Sequence, residues 1–262
     1  MNIANIAHTS IRASLLAVIL GWSGLSQAIV IEKEFTVANG GTLDLRTDVG
    51  ALDIRTHDKE TIEMEVDIRG EREDEFEVTY KVSGDDLDVV GELENRRKWG
   101  NGLRVHFFLT VPENYDLELQ TSGGSISISD LQGDIDAKTS GGSISIGDVR
   151  GDVELHTSGG SISTENIYGE IDAHTSGGSV TVRFAEQIKK NASLSTSGGS
   201  ITAYLPADIK VDLNASTSGG QVRSDFDVNG RIKKNSIKGE INGGGPELSL
   251  RTSGGSVKVK RR

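Results

Sequence analysis

The sequence predicts an all-β protein, a β-solenoid (parallel β-helix-like) of stacked rungs that is preceded by a less regular β-rich part. The tetrapeptide Thr-Ser-Gly-Gly occurs seven times, at successive spacings of 18, 18, 18, 21, 21 and 35 residues. The segments between its copies alternate apolar and polar residues, as strands with one buried face do. Repetition at a fixed period of this length is typical of solenoids. The copies begin at Thr121, Thr139, Thr157, Thr175, Thr196, Thr217 and Thr252.

Each repeat is predicted to form two short strands that face a shared interior. In the first unit the alternating runs are residues 125–128 and 134–137. One unit cannot fold alone, because five aliphatic side chains do not offset the entropy lost in ordering a whole unit. The units therefore stack about 4.8 Å apart and pool their apolar side chains. The inward residues of the first two units are Ile126, Ile128, Leu131, Ile135 and Ala137, then Ile144, Ile146, Val149, Val153 and Leu155.

Three segments are predicted along the chain. Residues 1–28 have the form of a signal peptide, with an apolar run at 15–20 and small residues before a cleavage site after Ala28. A membrane anchor is the alternative, but so short an apolar run spans a bilayer poorly. Residues 29–120 are predicted to be an irregular β-rich N-terminal part of the solenoid, and residues 121–262 the regular repeat solenoid. The protein is therefore expected to be exported, to the periplasm or the cell surface.

Local signals predict the turns and the less regular elements. The glycines of Thr-Ser-Gly-Gly are expected at corners, where they would adopt positive φ. Turns at 83–86 and 95–102 are expected to join antiparallel strands, and residues 47–54 to form a degenerate early rung. Residues 229–238 are expected to form a loop or an irregular turn. The strands expected before the regular repeats are 30–37, 42–46, 52–55, 61–68, 76–82, 87–90, 103–111 and 115–120.

Three phrases of the sequence carry a family resemblance. They are the repeated Thr-Ser-Gly-Gly-Ser-Ile, the segment Leu-Thr-Val-Pro at 109–112, and the ending Gly-Glu-Ile-Asn-Gly-Gly-Gly-Pro at 239–246 with its final repeat at 252–257. With these phrases the chain resembles the bacterial putative-adhesin family, an extracytoplasmic β-solenoid domain. The resemblance implies a surface binding role and brings no catalytic residues.

Charge and composition narrow the classes of partner. A formal net charge of -11 argues against a general nucleic-acid binder, and the absence of cysteine excludes disulfides. Residues 29–120 hold 23 acidic and 11 basic residues, whereas residues 229–262 hold 2 acidic and 9 basic ones. The basic C-terminal end is expected to contact anionic envelope polymers or a membrane surface, or the acidic end of another copy in head-to-tail self-association. The alternative is that charged ends keep the solenoid soluble and block end-to-end growth.

The outward face of the second strand of each unit is the first candidate site. Alternation predicts that its carboxylates form columns about one strand spacing apart. Such oxygen ligands suit calcium, the one cofactor that the sequence suggests, while the alternative is a solvated polar face. The residues of this predicted cation face are Asp134, Asp136, Asp152, Glu154, Glu170 and Asp172.

The same face also carries pairs of carboxylates and a pair of histidines, residue types that occur in catalytic and transition-metal sites. Retaining glycosidases hold two carboxyls about 5–5.5 Å apart, but any solenoid with repeated aspartates has nearly that spacing. His156 and His174 are expected to stack on adjacent rungs, where two imidazoles would still lack further metal ligands. Lys138 in the preceding rung opposes a cation there. The sequence therefore predicts no catalytic residue.

Two further surfaces are candidates for binding. The segment containing Arg96, Arg97, Lys98 and Trp99 combines binding-anchor residue types at an expected hairpin tip, the alternative being a turn with its tryptophan folded onto the sheet. The first strand of each unit presents a flat row of hydroxyls suited to a polysaccharide or protein, or to tight stacking alone. The hydroxyl pairs are Ser125 and Ser127, Ser143 and Ser145, Ser161 and Ser163, Ser179 and Thr181, and Ser200 and Thr202.

The function predicted from these observations is a non-enzymatic binding or scaffold protein of the cell envelope or surface. Its partner would be an envelope polymer, a carbohydrate or a protein. The sequence leaves two alternatives open: a polysaccharide-acting β-helix enzyme, either a lyase or a hydrolase, and a self-assembling structural element.

Overall fold

Twenty-three strands and one 3₁₀ helix make up the part of the chain described by the computed structural model, residues 28–70, 72–94 and 102–262. The 3₁₀ helix is Glu73–Glu75. No helix in this part is long and apolar enough to cross a bilayer. The strands are β1 (Ile29–Thr36), β2 (Thr42–Thr47), β3 (Ala51–His57), β4 (Thr61–Arg69), β5 (Phe76–Ser83), β6 (Asp86–Leu93), β7 (Arg104–Pro112), β8 (Asp116–Thr121), β9 (Ile126–Ile128), β10 (Ile135–Thr139), β11 (Ile144–Ile146), β12 (Val153–Thr157), β13 (Ile162–Ile167), β14 (Ile171–Thr175), β15 (Val180–Phe184), β16 (Ala192–Thr196), β17 (Ile201–Leu205), β18 (Val211–Thr217), β19 (Val222–Ser224), β20 (Asn229–Lys233), β21 (Ser236–Ile241), β22 (Glu247–Thr252) and β23 (Val257–Arg261).

The strands form two sheets that enclose the core between them, and each regular rung gives one strand to each sheet. The eleven-stranded sheet has the order β1-β4-β7-β3-β9-β11-β13-β15-β17-β23-β19. The twelve-stranded sheet has the order β20-β21-β18-β22-β16-β14-β12-β10-β8-β2-β6-β5. Neighbouring rungs pair in parallel, so the predicted β-solenoid is confirmed.

Equivalent side chains of successive rungs lie directly over one another. Ile144 pairs with Ile126 on one side and Ile162 on the other, and all three are almost completely buried. The period-two pattern of the sequence sends these residues inward in every rung. Because the register keeps like residues together, one continuous apolar interior runs through the stack.

The Thr-Ser-Gly-Gly corner is held by contacts between layers. Each motif threonine is buried, and its Oγ1 donates a hydrogen bond of 2.6–2.8 Å to a glycine carbonyl of the adjacent layer, as Thr157 does to Gly142. The prediction of positive φ at the motif glycines is wrong, since none is in the left-handed region. Glycine is needed for close approach: a Cβ on Gly142 would overlap the Gly124 carbonyl and lie 2.5 Å from Cα of Ser125.

The N-terminal part has the predicted strands, with differences of up to three residues at their ends. The turn at 83–86 closes the β5–β6 hairpin, where Gly84 has φ 68°, and residues 47–54 form an early rung in which Leu52 pairs with Ile126. The hairpin expected around 95–102 is wrong, because β6 and β7 lie in different sheets. Residues 95–101 themselves lie outside the described part.

The order of rungs in space differs from their order in the chain at both ends. The early rung β2–β3 lies between β6–β7 and β8–β9, and the last rung, β22–β23, lies between β16–β17 and β18–β19. Antiparallel strands complete each end: β1, β4 and β5 at one, β20 and β21 at the other. The loop or irregular turn predicted at 229–238 is therefore wrong, because Ile232 pairs with Ile237 in a regular β20–β21 hairpin.

Candidate functional site

A row of six carboxylates crosses the outer face of the twelve-stranded sheet, one on each of six adjacent strands. We call this row the carboxylate ladder. With strands about 4.8 Å apart, it extends over about 24 Å. Its members, in spatial order, are Asp88, Asp44, Glu118, Asp136, Glu154 and Asp172.

A second acidic row runs beside the ladder at the start of four of these strands. We call it the capping row; it consists of Asp116, Asp134, Asp152 and Glu170. The Oδ1 atom of each aspartate accepts the backbone N–H of the next member, at 2.8, 2.7 and 3.0 Å along the row. These aspartates therefore cap the backbone between rungs. A shallow groove of about 440 Å³ lies over the two rows.

The structure brings together all six residues of the predicted cation face, three in each row. Sequence reasoning missed the members from the irregular part, Asp88, Asp44, Glu118 and Asp116. The sequence does show that these residues alternate with leucine and valine, as outward residues of a strand do. It does not show which of those strands become neighbours, because β2 lies between β6 and β8 in space.

Lys138 places an ammonium group between two ladder carboxylates. Its Nζ lies 2.7 Å from Asp136 Oδ2 and 3.7 Å from Glu154 Oε1. The hydrogen bond to Asp136 raises the pKa of Lys138 above its usual range. All three side chains are substantially exposed, so the ion pairs add little to folding stability.

Lys190 makes the corresponding bridge in the capping row. Its Nζ lies 2.6 Å from Asp152 Oδ2 and 3.5 Å from Glu170 Oε2. The hydrogen bond from Lys190 is the main reason that the pKa of Asp152 is lowered, and the same bond raises the pKa of the lysine. Both rows thus accept an ammonium group between adjacent rungs.

Two other ladder carboxylates, Asp172 and Asp44, have a raised pKa, so their charged form is disfavoured. Partial burial raises the pKa of Asp172, and repulsion from Glu154 raises it further. Burial also raises the pKa of Asp44, opposed by its ion pair with Arg46. The ladder therefore concentrates negative charge that further cations would relieve.

The acidic rows do not converge on a point. In the described ranges, no group of three or more His, Cys, Asp or Glu side chains has an arrangement that could hold a metal ion. One oxygen of each capping aspartate already accepts a backbone hydrogen bond. Calcium binding at the cation face stays a prediction.

The histidine pair stacks as the sequence predicts. The rings of His156 and His174 have centroids 4.9 Å apart, and His174 Nδ1 is hydrogen-bonded to Ser195 Oγ at 2.8 Å. Lys138 is in register with His156 on the preceding rung. The pair is thus part of a polar column on the sheet.

The hydroxyl face of the eleven-stranded sheet has a structural role. The first serine of each hydroxyl pair accepts, through its Oγ, the backbone N–H of the following layer at 3.1–3.2 Å, as Ser125 does from Ser143. The second residues of the pairs, such as Ser127 and Ser145, lie in register across the rungs. The segment with Arg96, Arg97, Lys98 and Trp99 lies outside the described residues, so its binding role stays a prediction.

Two substitutions in the acidic rows are expected to change stability in opposite directions. Asp172→Asn should stabilise at neutral pH, because the raised pKa shows that the charged form is disfavoured in the fold. Asp152→Asn should destabilise, because the carboxylate bound by Lys190 is lost. Because both side chains remain partly exposed to solvent, each effect should be about 0.3–0.5 kcal/mol, or roughly 1–2 °C in melting temperature.

The pH dependence separates these effects from packing. The lowered pKa of Asp152 contributes stability above about pH 4, and this contribution is lost as the pH falls through the pKa of the folded state. The raised pKa of Asp172 costs stability at neutral pH, and this cost disappears as the pH falls through the folded-state pKa towards the ordinary value. Thermal melts of both variants and the unchanged protein at pH 7 and about pH 3 should show both differences shrinking towards zero in acid. Differences that persist in acid would contradict the electrostatic explanation.

Comparison with known proteins gives one family and several distant structures. The family model described as Toastrack DUF4097 matches residues 42–168 and 151–260. No curated protein matches the chain. A putative cell adhesion protein from Clostridium sporogenes has 16% identity and a TM-score of 0.45, over 91% of this chain and 100% of that chain. A putative adhesin from Bacteroides fragilis has 14% identity and a TM-score of 0.36, over 89% and 97%. The two family matches together cover residues 42–260.

Proposed function

The chain belongs to the Toastrack DUF4097 family, and from the surface that this solenoid presents we propose a non-enzymatic binding or scaffold protein of the cell envelope. The observation that carries the proposal is the carboxylate ladder, which repeats one chemical group over about 24 Å. A row of this kind matches an extended ligand better than a compact one. The protein would work by lying along its partner.

The lysine bridges indicate which groups such a partner would carry. Lys138 sits between Asp136 and Glu154, so the spacing between rungs suits an ammonium group. An extended polymer or protein segment with amine groups would repeat that contact along the ladder. Each exposed pair contributes little, about 0.2–1 kcal/mol, so useful affinity requires several contacts at once.

Binding to isolated envelope material tests this proposal. The purified protein should co-sediment with cell-wall and envelope fractions of a bacterium that encodes it. The double variant Glu118→Gln/Glu154→Gln should bind about three- to tenfold more weakly, because the ladder carboxylates on both sides of Asp136 lose their charge. The matched control is Glu165→Gln/Glu186→Gln, which removes two exposed, ion-paired carboxylates elsewhere.

The control variant is expected to bind within about twofold of the unchanged protein. Equal loss in the two double variants would show that only net charge matters and would contradict a ladder site. Failure of the unchanged protein to bind any fraction would contradict the binding role itself.

A polysaccharide-acting enzyme is the second candidate, and one observation favours it. Asp152 and Asp172 line the same groove, and the pKa of the first is lowered while that of the second is raised. Acid and base catalysts are often separated in this way. The groove is open, however, and does not exclude water. Cleavage of acidic polysaccharides that is abolished by Asp134→Asn or Asp152→Asn would establish the enzyme instead.

The proposed site of action is outside the cytoplasm, in the periplasm or on the cell surface. The signal-peptide pattern of residues 1–28 supports it. Expression with and without these residues, followed by cell fractionation, is the measurement. Cytoplasmic retention of the full chain would contradict export.

A further inference from the structure

The large apolar side chains that are most exposed in the described residues all lie on edge or end strands. Two are on β1, two on β5 and one on β20, and each of these strands has only one neighbour in its sheet. The exposed fractions range from 39% at Ile29 to 63% at Ile232. The five residues are Ile29, Val30, Tyr80, Val82 and Ile232.

Most of these side chains belong to the core face of their strand. Tyr80 pairs with Val89, Val82 with Leu87, and both partners are fully buried. Paired residues point to the same face of a sheet, so the exposed members face the interior where no further rung covers them. Terminal units of a solenoid usually cover the core with polar residues. This solenoid leaves apolar groups open at both ends.

A groove lies beside the exposed apolar side chain at the end of the solenoid formed by β20. Ile232 pairs with the buried Ile237, and a groove of about 600 Å³ lies beside them. Phe226 and Val228 line this groove together with Lys258 and Lys260. Arg223 and Asp225 also line the groove, and Lys260 Nζ lies 3.4 Å from Asp225 Oδ1, so its lining is part apolar and part charged, with cations in excess.

The two ends carry opposite charge. The described residues of the β1–β5 end, 29–70, 72–94 and 102–112, hold 19 acidic and 8 basic residues. Residues 206–262, which form most of the other end, hold 6 acidic and 11 basic ones. Matched outward positions show the same polarity: Glu32 and Glu65 pair at one end of the eleven-stranded sheet, Lys258 and Arg223 at the other.

We propose that the partner of each end is the opposite end of a second copy of this chain. The basic end of one copy contacts the acidic end of the next, and the open core-facing side chains of both are buried in the contact. Joining two acidic ends would instead place like charges together. Because the two surfaces differ, the contact is head to tail and builds open chains of molecules. This proposal is independent of the proposed ligand of the ladder.

Two end-blocked variants test the direction of the contact. Ile232→Asp places a carboxylate on the basic end, and Val82→Lys places an ammonium on the acidic end. Sedimentation velocity at about 0.01 M salt, over micromolar to millimolar protein, should show growing oligomers for the unchanged protein. Each variant alone should stay monomeric. An equimolar mixture should form dimers and nothing larger, because the free acidic end of Ile232→Asp contacts the free basic end of Val82→Lys and the other two ends are blocked.

Salt and surface controls complete the test. At about 1 M salt the Debye length falls from about 30 Å to about 3 Å, and the association constant should fall at least about tenfold. Lys233→Glu, a charge change on β20 that leaves the apolar groups in place, should weaken association. Lys189→Glu makes the same charge change on a strongly exposed side chain away from the ends and should have no effect. Unchanged melting temperatures establish that each variant is folded.

Three outcomes would overturn the proposal. The unchanged protein could remain a single molecule at every concentration. Ile232→Asp alone could still dimerise, which would indicate contact between two acidic ends. Vesicles containing anionic lipid could bind the basic end of a protein that does not self-associate, which would assign that end to a membrane surface.

Discussion

Gly142→Ala is expected to lower the free energy of unfolding by about 3 kcal/mol or more. An added Cβ would overlap the carbonyl group of Gly124 in the adjacent layer and lie 2.5 Å from Cα of Ser125. Those atoms belong to the backbone and cannot turn aside as a side chain would. Relief requires the rungs to separate, which strains the shared hydrogen bonds and the packing beneath them.

The neighbouring glycine supplies the control. A Cβ on Gly141 would come no closer than 3.6 Å to any atom outside its neighbouring residues, an ordinary contact. Gly141→Ala should change stability by less than about 1 kcal/mol, and reduced freedom of the unfolded chain could make it stabilising. Thermal melts should show a loss of roughly 6–12 °C for Gly142→Ala only. Similar melting temperatures for the two variants would contradict the interlayer explanation.

Leu250→Ala is expected to cost about 2–5 kcal/mol, although position 250 is close to the end of the sequence. Leu250 is completely buried and pairs with Leu194 on one side and Ala215 on the other. The rung that carries it lies inside the stack, so truncation leaves a cavity that neighbouring layers cannot fill. A terminal rung would collapse around the change at much lower cost.

The matched control is Ile232→Ala, at the physical end of the twelve-stranded sheet. Ile232 is 63% exposed, so its truncation should cost less than about 0.5 kcal/mol. Chemical denaturation at low protein concentration compares the two without self-association. If Leu250→Ala were as mild as Ile232→Ala, the insertion of β22–β23 between two earlier rungs would be wrong.

Much of the candidate site was predictable because it repeats with the fold. Asp136, Glu154 and Asp172 occupy the same position of successive 18-residue units, so their alignment follows from the spacing. The continuation of the row to Glu118, Asp44 and Asp88 could not be predicted. Those residues come from strands with no common period, and only the folded topology places them side by side.

The sequence alone determined the solenoid, the inward residues and the stacking of the regular rungs, because period-two alternation and an 18-residue repeat depend on local geometry. Tertiary structure decided the rest. It placed β2–β3 and β22–β23 inside the stack, turned residues 229–238 into a hairpin, and required glycine at position 142 for a contact between layers. These features depend on which distant segments become neighbours. The periodic pattern of apolar and polar residues is the same in every rung, so it does not specify which rung lies next to which.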